Sequence, residues 1–112
     1  MRLTKKKAVE ITKELWEWVR DTEKHKHEWP YWKKYGWMLT GCPLCEYAKR
    51  HTDDNRAICF KCPFLGIWAE EIDSACLAYG SPYRLYFDDI DYEEAGVCIV
   101  ALCDQWLKEH TK

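Results

Sequence analysis

Two C-x-x-C pairs, thirteen residues apart, constrain this chain more than any other feature it carries. Cys42 and Cys45 form the first, in Gly41-Cys42-Pro43-Leu44-Cys45. Cys59 and Cys62 form the second, in Cys59-Phe60-Lys61-Cys62-Pro63. Two sharp turns of this kind can set four thiolates at the corners of a tetrahedron, which zinc prefers, with Zn–S distances of about 2.3 Å. The gap lies just under the usual range for paired motifs and still admits a hairpin or short helix between the knuckles. The expectation is a structural Zn2+ held by Cys42, Cys45, Cys59 and Cys62. Cys76, fourteen residues after Cys62, is a possible substitute ligand or an ordinary buried cysteine.

A chain of 112 residues is one domain, residues 1–112, and buries only a modest share of its surface. A metal staple therefore makes energetic sense, because structural zinc can supply on the order of 10 kcal/mol of apparent binding free energy to folding. Seven cysteines is an odd number, and Met1-Arg2-Leu3-Thr4 runs into a charged helix without a secretory leader pattern. We expect a reducing, cytoplasmic compartment in which thiols bind metal instead of pairing. No apolar run approaches the length of a membrane span, so no membrane is expected. The net charge of −2 hides an asymmetry. Residues 1–56 carry 13 Lys/Arg against 9 Asp/Glu, and residues 57–112 carry 4 against 10. Two faces of opposite sign argue against a uniformly basic nucleic-acid binder.

Thr4 is a candidate N-cap for a helix over 4–23, with Ala8, Ile11, Leu15 and Trp18 at helical spacing and Val9, Trp16 and Val19 widening the stripe. The stretch Trp29-Pro30-Tyr31-Trp32-Lys33-Lys34-Tyr35-Gly36 reads as a short turn opened by Pro30 and closed by Gly36. Trp29, Tyr31, Trp32, Lys33 and Lys34 are either a lid of rings over the core or a partner-binding surface. His25, His27 and His51 are expected in solvent. The zinc module spans 37–63, with a short strand over Trp37–Thr40 and a brief helix over Glu46–His51. Ile67, Trp68, Ile72, Ala75, Cys76 and Tyr79 follow helical spacing, and Arg84–Phe87 reads as extended. The last helix spans 89–110, with Asp91 and Glu94 as a capping box and Ala95, Cys98, Ile99, Leu102 and Trp106 as its apolar stripe. Cys98 and Cys103 read as small core residues. The fold class is mainly α: long N- and C-terminal helices packed together, with a small zinc-knuckle or zinc-ribbon-like module between their ends.

With these residues in view, the chain resembles a group of small phage-encoded proteins, mostly uncharacterised. The shared succession is Leu15-Trp16-Glu17-Trp18, Trp29-Pro30-Tyr31-Trp32, Cys42-Pro43-Leu44-Cys45-Glu46-Tyr47, Cys59-Phe60-Lys61-Cys62-Pro63, Cys76 and Ser81-Pro82-Tyr83, over residues 4–87. The resemblance implies a phage context, hence a host-cell cytoplasm, together with metal binding. It raises the standing of Cys76 and implies no activity.

Catalysis is not expected, because no histidine sits beside a knuckle with the further ligand that activated water needs. No small-molecule substrate is expected either. The aromatic content suits a protein-interaction module of the host-takeover or anti-defence type. Asp88, Asp89 and Glu93 would offer charge complementarity to a basic partner. The alternative is a zinc-ribbon nucleic-acid binder that uses the Lys-aromatic stretch, against which the acidic second half stands.

Overall fold

The structure is a computed structural model that describes residues 3–38, 41–52, 61–69, 75–77, 80–88 and 90–110. Among these residues all regular secondary structure is helical. In order come α1 (Lys5–Thr22), a 3-10 turn (Lys26–Glu28), α2 (Trp32–Tyr35), α3 (Pro43–Arg50), α4 (Pro82–Phe87) and α5 (Tyr92–His110).

Helix α1 begins where its cap predicts, since Thr4 is extended and its Oγ1 accepts from the Lys7 N–H at 3.1 Å. That bond satisfies one of the first-turn donors that no intrahelical carbonyl reaches. The buried face carries Ala8, Val9, Ile11, Thr12, Leu15, Trp16 and Val19. Thr12 is tolerated there because its hydroxyl donates to the Ala8 carbonyl at 2.7 Å. Helix α5 starts after Asp91, whose Oδ1 accepts from the Glu94 N–H at 3.1 Å, and buries Ala95, Gly96, Ile99, Val100, Cys103 and Trp106.

The long N- and C-terminal helices pack together, and this is the most extensive contact between elements. Gly96 sets its spacing. A Cβ at that position would meet Arg20 Cβ at 2.6 Å, the Trp16 carbonyl oxygen at 2.8 Å and Arg20 Cα at 2.9 Å. Only a glycine lets the two backbones approach so closely. On the outer edge Lys13 pairs with Asp104 at 2.6 Å, a solvent-screened bridge. Helix α4 packs on α5, and α3 packs on α1.

Three local expectations are corrected. Arg84–Phe87 is the body of α4 and not an extended segment. Ser81 caps it by accepting from the Tyr83 N–H at 3.3 Å, and Pro82 occupies the first turn, where its missing N–H costs nothing. The helical spacing after Phe64 does not yield a helix in the described part. Leu65 N–H donates to the Cys62 carbonyl and Ile67 N–H to the Phe64 carbonyl, and Gly66 at φ 80° leaves the helical region, so 63–69 turns on itself. Glu70–Ser74 and Tyr79 lie outside the described residues. Trp37 and Met38 do not form a strand. The Met38 carbonyl accepts from the Gly41 N–H at 2.8 Å, which closes a turn, and Leu39 and Thr40 lie outside the described residues.

The aromatic stretch packs mainly as a lid. Trp29 and Trp32 are buried, edge to face with ring centroids 5.1 Å apart, and the Trp32 Nε1 donates to the Lys26 carbonyl at 2.9 Å. A buried indole N–H usually takes a partner, and this bond fixes Trp32 in the core.

Candidate metal centre

The first C-x-x-C pair is built by the start of α3. Cys42 is extended and serves as its N-cap residue, Pro43 opens the helix, and Cys45 lies one turn in. This helix begins three residues earlier than its apolar pattern suggests, so the knuckle and the helix N-terminus are one unit. The expected Glu46–His51 helix is its body. Pro43 and Leu44 are buried while both thiols remain half-buried, so the local fold anchors the apolar side chains and turns the sulfurs inward. Cys62 follows at the entrance of the 63–69 turns, and Cys76 comes from the short 75–77 segment.

These four cysteines meet. Cys42, Cys45, Cys62 and Cys76 line one cavity of about 20 Å3, together with Trp68 and the apolar Leu65 and Ala75. That volume is on the scale of one water molecule, and therefore of one ion. The six cysteines among the described residues are thiols. Among those residues no three or more His, Cys, Asp or Glu side chains stand in an arrangement that could hold a metal ion as they are. Cys59 lies outside the described residues.

The surroundings of the cavity are polar in an unusual way. Lys26 is only 3% exposed. Its Nζ donates to the Tyr83 hydroxyl oxygen at 2.6 Å and sits 4.9 Å and 5.7 Å from the Tyr83 and Tyr86 ring centroids. Its backbone N–H donates to the Tyr86 hydroxyl oxygen at 3.3 Å, and its carbonyl takes the Trp32 indole N–H. Among the described residues no carboxylate forms an ion pair with it. Burial pushes the Lys26 ammonium below its ordinary range, and the sulfurs of Cys42, Cys45 and Cys76 oppose that shift. A cation taken out of water without a carboxylate costs several kcal/mol unless another negative group is at hand, and among the described residues the candidates are the thiols of Cys42, Cys45 and Cys76.

The thiols respond in turn. Cys42 is held below the usual thiol range, first by the hydrogen bond from Cys45, then by the Lys26 ammonium and the N–H groups at the head of α3. Cys45 is pushed up, chiefly by giving that hydrogen bond and by burial. Burial pushes the Cys62 thiol up to about 12. Trp68 contributes a second polar group. Its Nε1 is buried with no hydrogen-bond partner of full geometry among the described residues, yet it lies near enough to the Cys62 sulfur to favour a thiolate there. A neutral thiol is a weak acceptor, so this N–H is satisfied only when the sulfur is charged.

The other predicted site residues fall elsewhere. Of the proposed partner surface, Trp29 and Trp32 are core, whereas Tyr31, Lys33 and Lys34 are exposed. Asp88 and Glu93 are exposed, with Asp88 paired to Arg84 at 2.5 Å, and Asp89 lies outside the described residues. His27 is exposed as expected, and its ring is not isolated. It stacks between His25 and Trp37, with centroids 4.2 Å and 5.0 Å away. His25 is half-buried and caps the 3-10 turn. His51 is exposed and stacks on Tyr47. Cys103 is buried as expected, and Cys98 is half-buried with its thiol directed to Glu94. Lys26 and Trp68 are the site residues that sequence reasoning missed. Lys26 sits in a charged run, His25-Lys26-His27-Glu28, that reads as solvent-facing.

No protein-family model, curated protein or solved structure matches this chain. The chemistry of the site rests on its own residues.

Proposed function

We propose that this chain is a non-enzymatic, zinc-stabilised domain that acts by binding a protein partner with a basic surface. The observation that carries the partner reading is the corner between α4 and α5. Phe87 and Ile90 are 63% and 68% exposed there, beside the exposed carboxylates of Asp88, Asp91 and Glu93. Ile90 also holds a left-handed backbone, φ 54°. That conformation costs an L-residue about 1–2 kcal/mol, and a β-branched side chain tolerates it poorly. A strained Ile left in water gains little from its own fold and suits an anchor buried only on association. Carboxylates around an apolar anchor complement a pocket bordered by Lys or Arg.

The zinc part of the reading is supported by four thiols around one ion-sized space. In this reading the metal holds the fold, with the sulfurs of Cys42, Cys45, Cys62 and Cys76 as its surroundings. A host-takeover or anti-defence role rests on the phage resemblance alone.

One observation favours nucleic acid instead. An open groove of about 470 Å3 is lined by Lys5, Lys61, His51 and Tyr47, among others, on a surface distinct from the acidic corner. Tyr47, the one Phe, Tyr or Trp among its described lining residues, is already stacked on His51 at 4.1 Å, which leaves a thin platform for bases.

The test is NMR shift mapping with three probes: a basic amphipathic peptide, its charge-reversed counterpart, and a single-stranded oligonucleotide. The proposal expects the basic peptide to shift Phe87, Asp88, Ile90 and Glu93, and Phe87→Ala to abolish the effect. Shifts confined to Lys5, Lys61 and His51 with the oligonucleotide would overturn it.

A further inference from the structure

Paired C-x-x-C motifs nominate Cys59, which lies outside the described residues; among those residues the cavity is lined by Cys42, Cys45, Cys62 and Cys76. Trp68 shares that lining, and the Lys26 side chain lies against Gly41, the residue before Cys42. The Lys26 Nζ is buried without a carboxylate partner among the described residues, and its position is fixed by Tyr83. Among the described residues the Trp68 Nε1 is buried without a hydrogen-bond partner, and Trp68 lines the same cavity. Lys26 is a buried cation whose ammonium donates to a neutral hydroxyl, and Trp68 offers an N–H donor, so both favour negative charge at the cysteine cluster. Neutral thiols do not supply it. Four thiolates on a divalent ion do, leaving two net negative charges that one ammonium halves and one indole N–H can solvate.

We propose that Cys42, Cys45, Cys62 and Cys76 bind a single zinc ion, with Lys26 as the buried countercharge and the Trp68 indole N–H directed to the thiolates. This rests on the structural-zinc reading and names its ligand set. Tetrahedral zinc takes four ligands, so this set makes Cys59 dispensable for metal binding, although its spacing marks it as half of a knuckle. Zinc binding releases the thiol protons to solvent and closes the four sulfurs on the ion. Because Cys76 lies fourteen residues beyond Cys62, the ion ties the 75–77 segment to α3. Arg84 extends that tie to α4 by donating from Nη1 to the Leu77 carbonyl at 3.0 Å.

The experiment uses the full chain loaded with zinc. Thiols are alkylated with iodoacetamide, with and without a chelator, and mapped by mass spectrometry. Zinc content is measured in parallel for the unmodified chain, Cys59→Ser and Cys76→Ser. The expected result is chelator-dependent protection of Cys42, Cys45, Cys62 and Cys76, and one zinc retained by Cys59→Ser but lost by Cys76→Ser. Mapping the unmodified chain keeps the test valid if Cys76→Ser fails to fold. Alkylation of Cys76 with zinc still bound, or loss of zinc from Cys59→Ser, overturns the ligand set and leaves structural zinc standing. An unmodified chain that binds no zinc overturns both. For the countercharge, Lys26→Met should weaken zinc binding by about 10–100-fold, the usual size of an outer-shell loss, and Lys26→Arg should recover part of it. Equal affinity in Lys26→Met would remove Lys26 from the site.

Discussion

Gly96→Ala tests how closely the two long helices approach. The added methyl would lie 2.6–2.9 Å from three atoms, and two of them, the Trp16 oxygen and Arg20 Cα, belong to the α1 backbone. Neither can swing aside as a flexible side chain does. Relief requires α1 and α5 to part by several tenths of an ångström along a seam that includes Ile11, Leu15 and Val19 on one helix and Ile99 and Cys103 on the other. Overpacking of this kind costs about 1–3 kcal/mol. Alanine's higher helix propensity returns about 1 kcal/mol. With two of the three contacts made to backbone the cost falls at about 2–3 kcal/mol, so the net loss is about 1–2 kcal/mol, which in a domain of this size lowers Tm by roughly 4–12 °C. Thermal unfolding followed by circular dichroism on the metal-loaded protein reads this directly, with Val97→Ala on the exposed face as a control expected within about 0.5 kcal/mol. A Gly96→Ala protein as stable as the parent, or more so, would show that the helices do not meet at Gly96.

Other substitutions probe other parts of the account. Cys42→Ser or Cys45→Ser should unfold the domain, whereas Cys98→Ser and Cys103→Ser should lower stability without releasing metal, as read by zinc content and circular dichroism. Stoichiometric zinc in Cys42→Ser would sink that assignment. Ile90→Asn should raise stability by about 1 kcal/mol, because Asn tolerates the left-handed backbone, while it weakens binding of a basic partner. Reduced stability with unchanged binding would count against the corner as an interface. Burial, reinforced by nearby Lys26, holds the His25 imidazole below its ordinary range, and burial, then His25 and Lys26, does the same for His27. The folded state therefore favours neutral rings. Their contribution is full above the unfolded value of about 6.5 and is lost as pH falls through the folded values. An NMR titration should place both midpoints below about 6.5, and a midpoint above it would contradict the stacked arrangement.

The elements that were legible in the sequence are those whose signals are local. Thr4, the Ala8–Val19 stripe and the Asp91–Glu94 cap mark the two long helices, and their matching apolar faces imply that they pack. Helix α4 was missed because six residues are too few for a periodic stripe, and its cue is the Ser81-Pro82 start, which also reads as a turn. Spacing identified three of the four cavity cysteines, since a C-x-x-C turn is a local geometry. Cys76, Lys26 and Trp68 reach the same point through the tertiary fold, which no spacing rule encodes. Trp29 and Trp32 are core and Tyr31 is surface for a similar reason: neighbouring rings in one turn point in different directions, and only packing decides which is covered.

Native mass spectrometry of the purified chain, before and after a chelator and with circular dichroism alongside, bears most directly on the central claim. The account predicts one zinc per chain and loss of the helical fold when it is removed. A chain that stays folded without metal would contradict it and return the C-x-x-C thiols to redox chemistry.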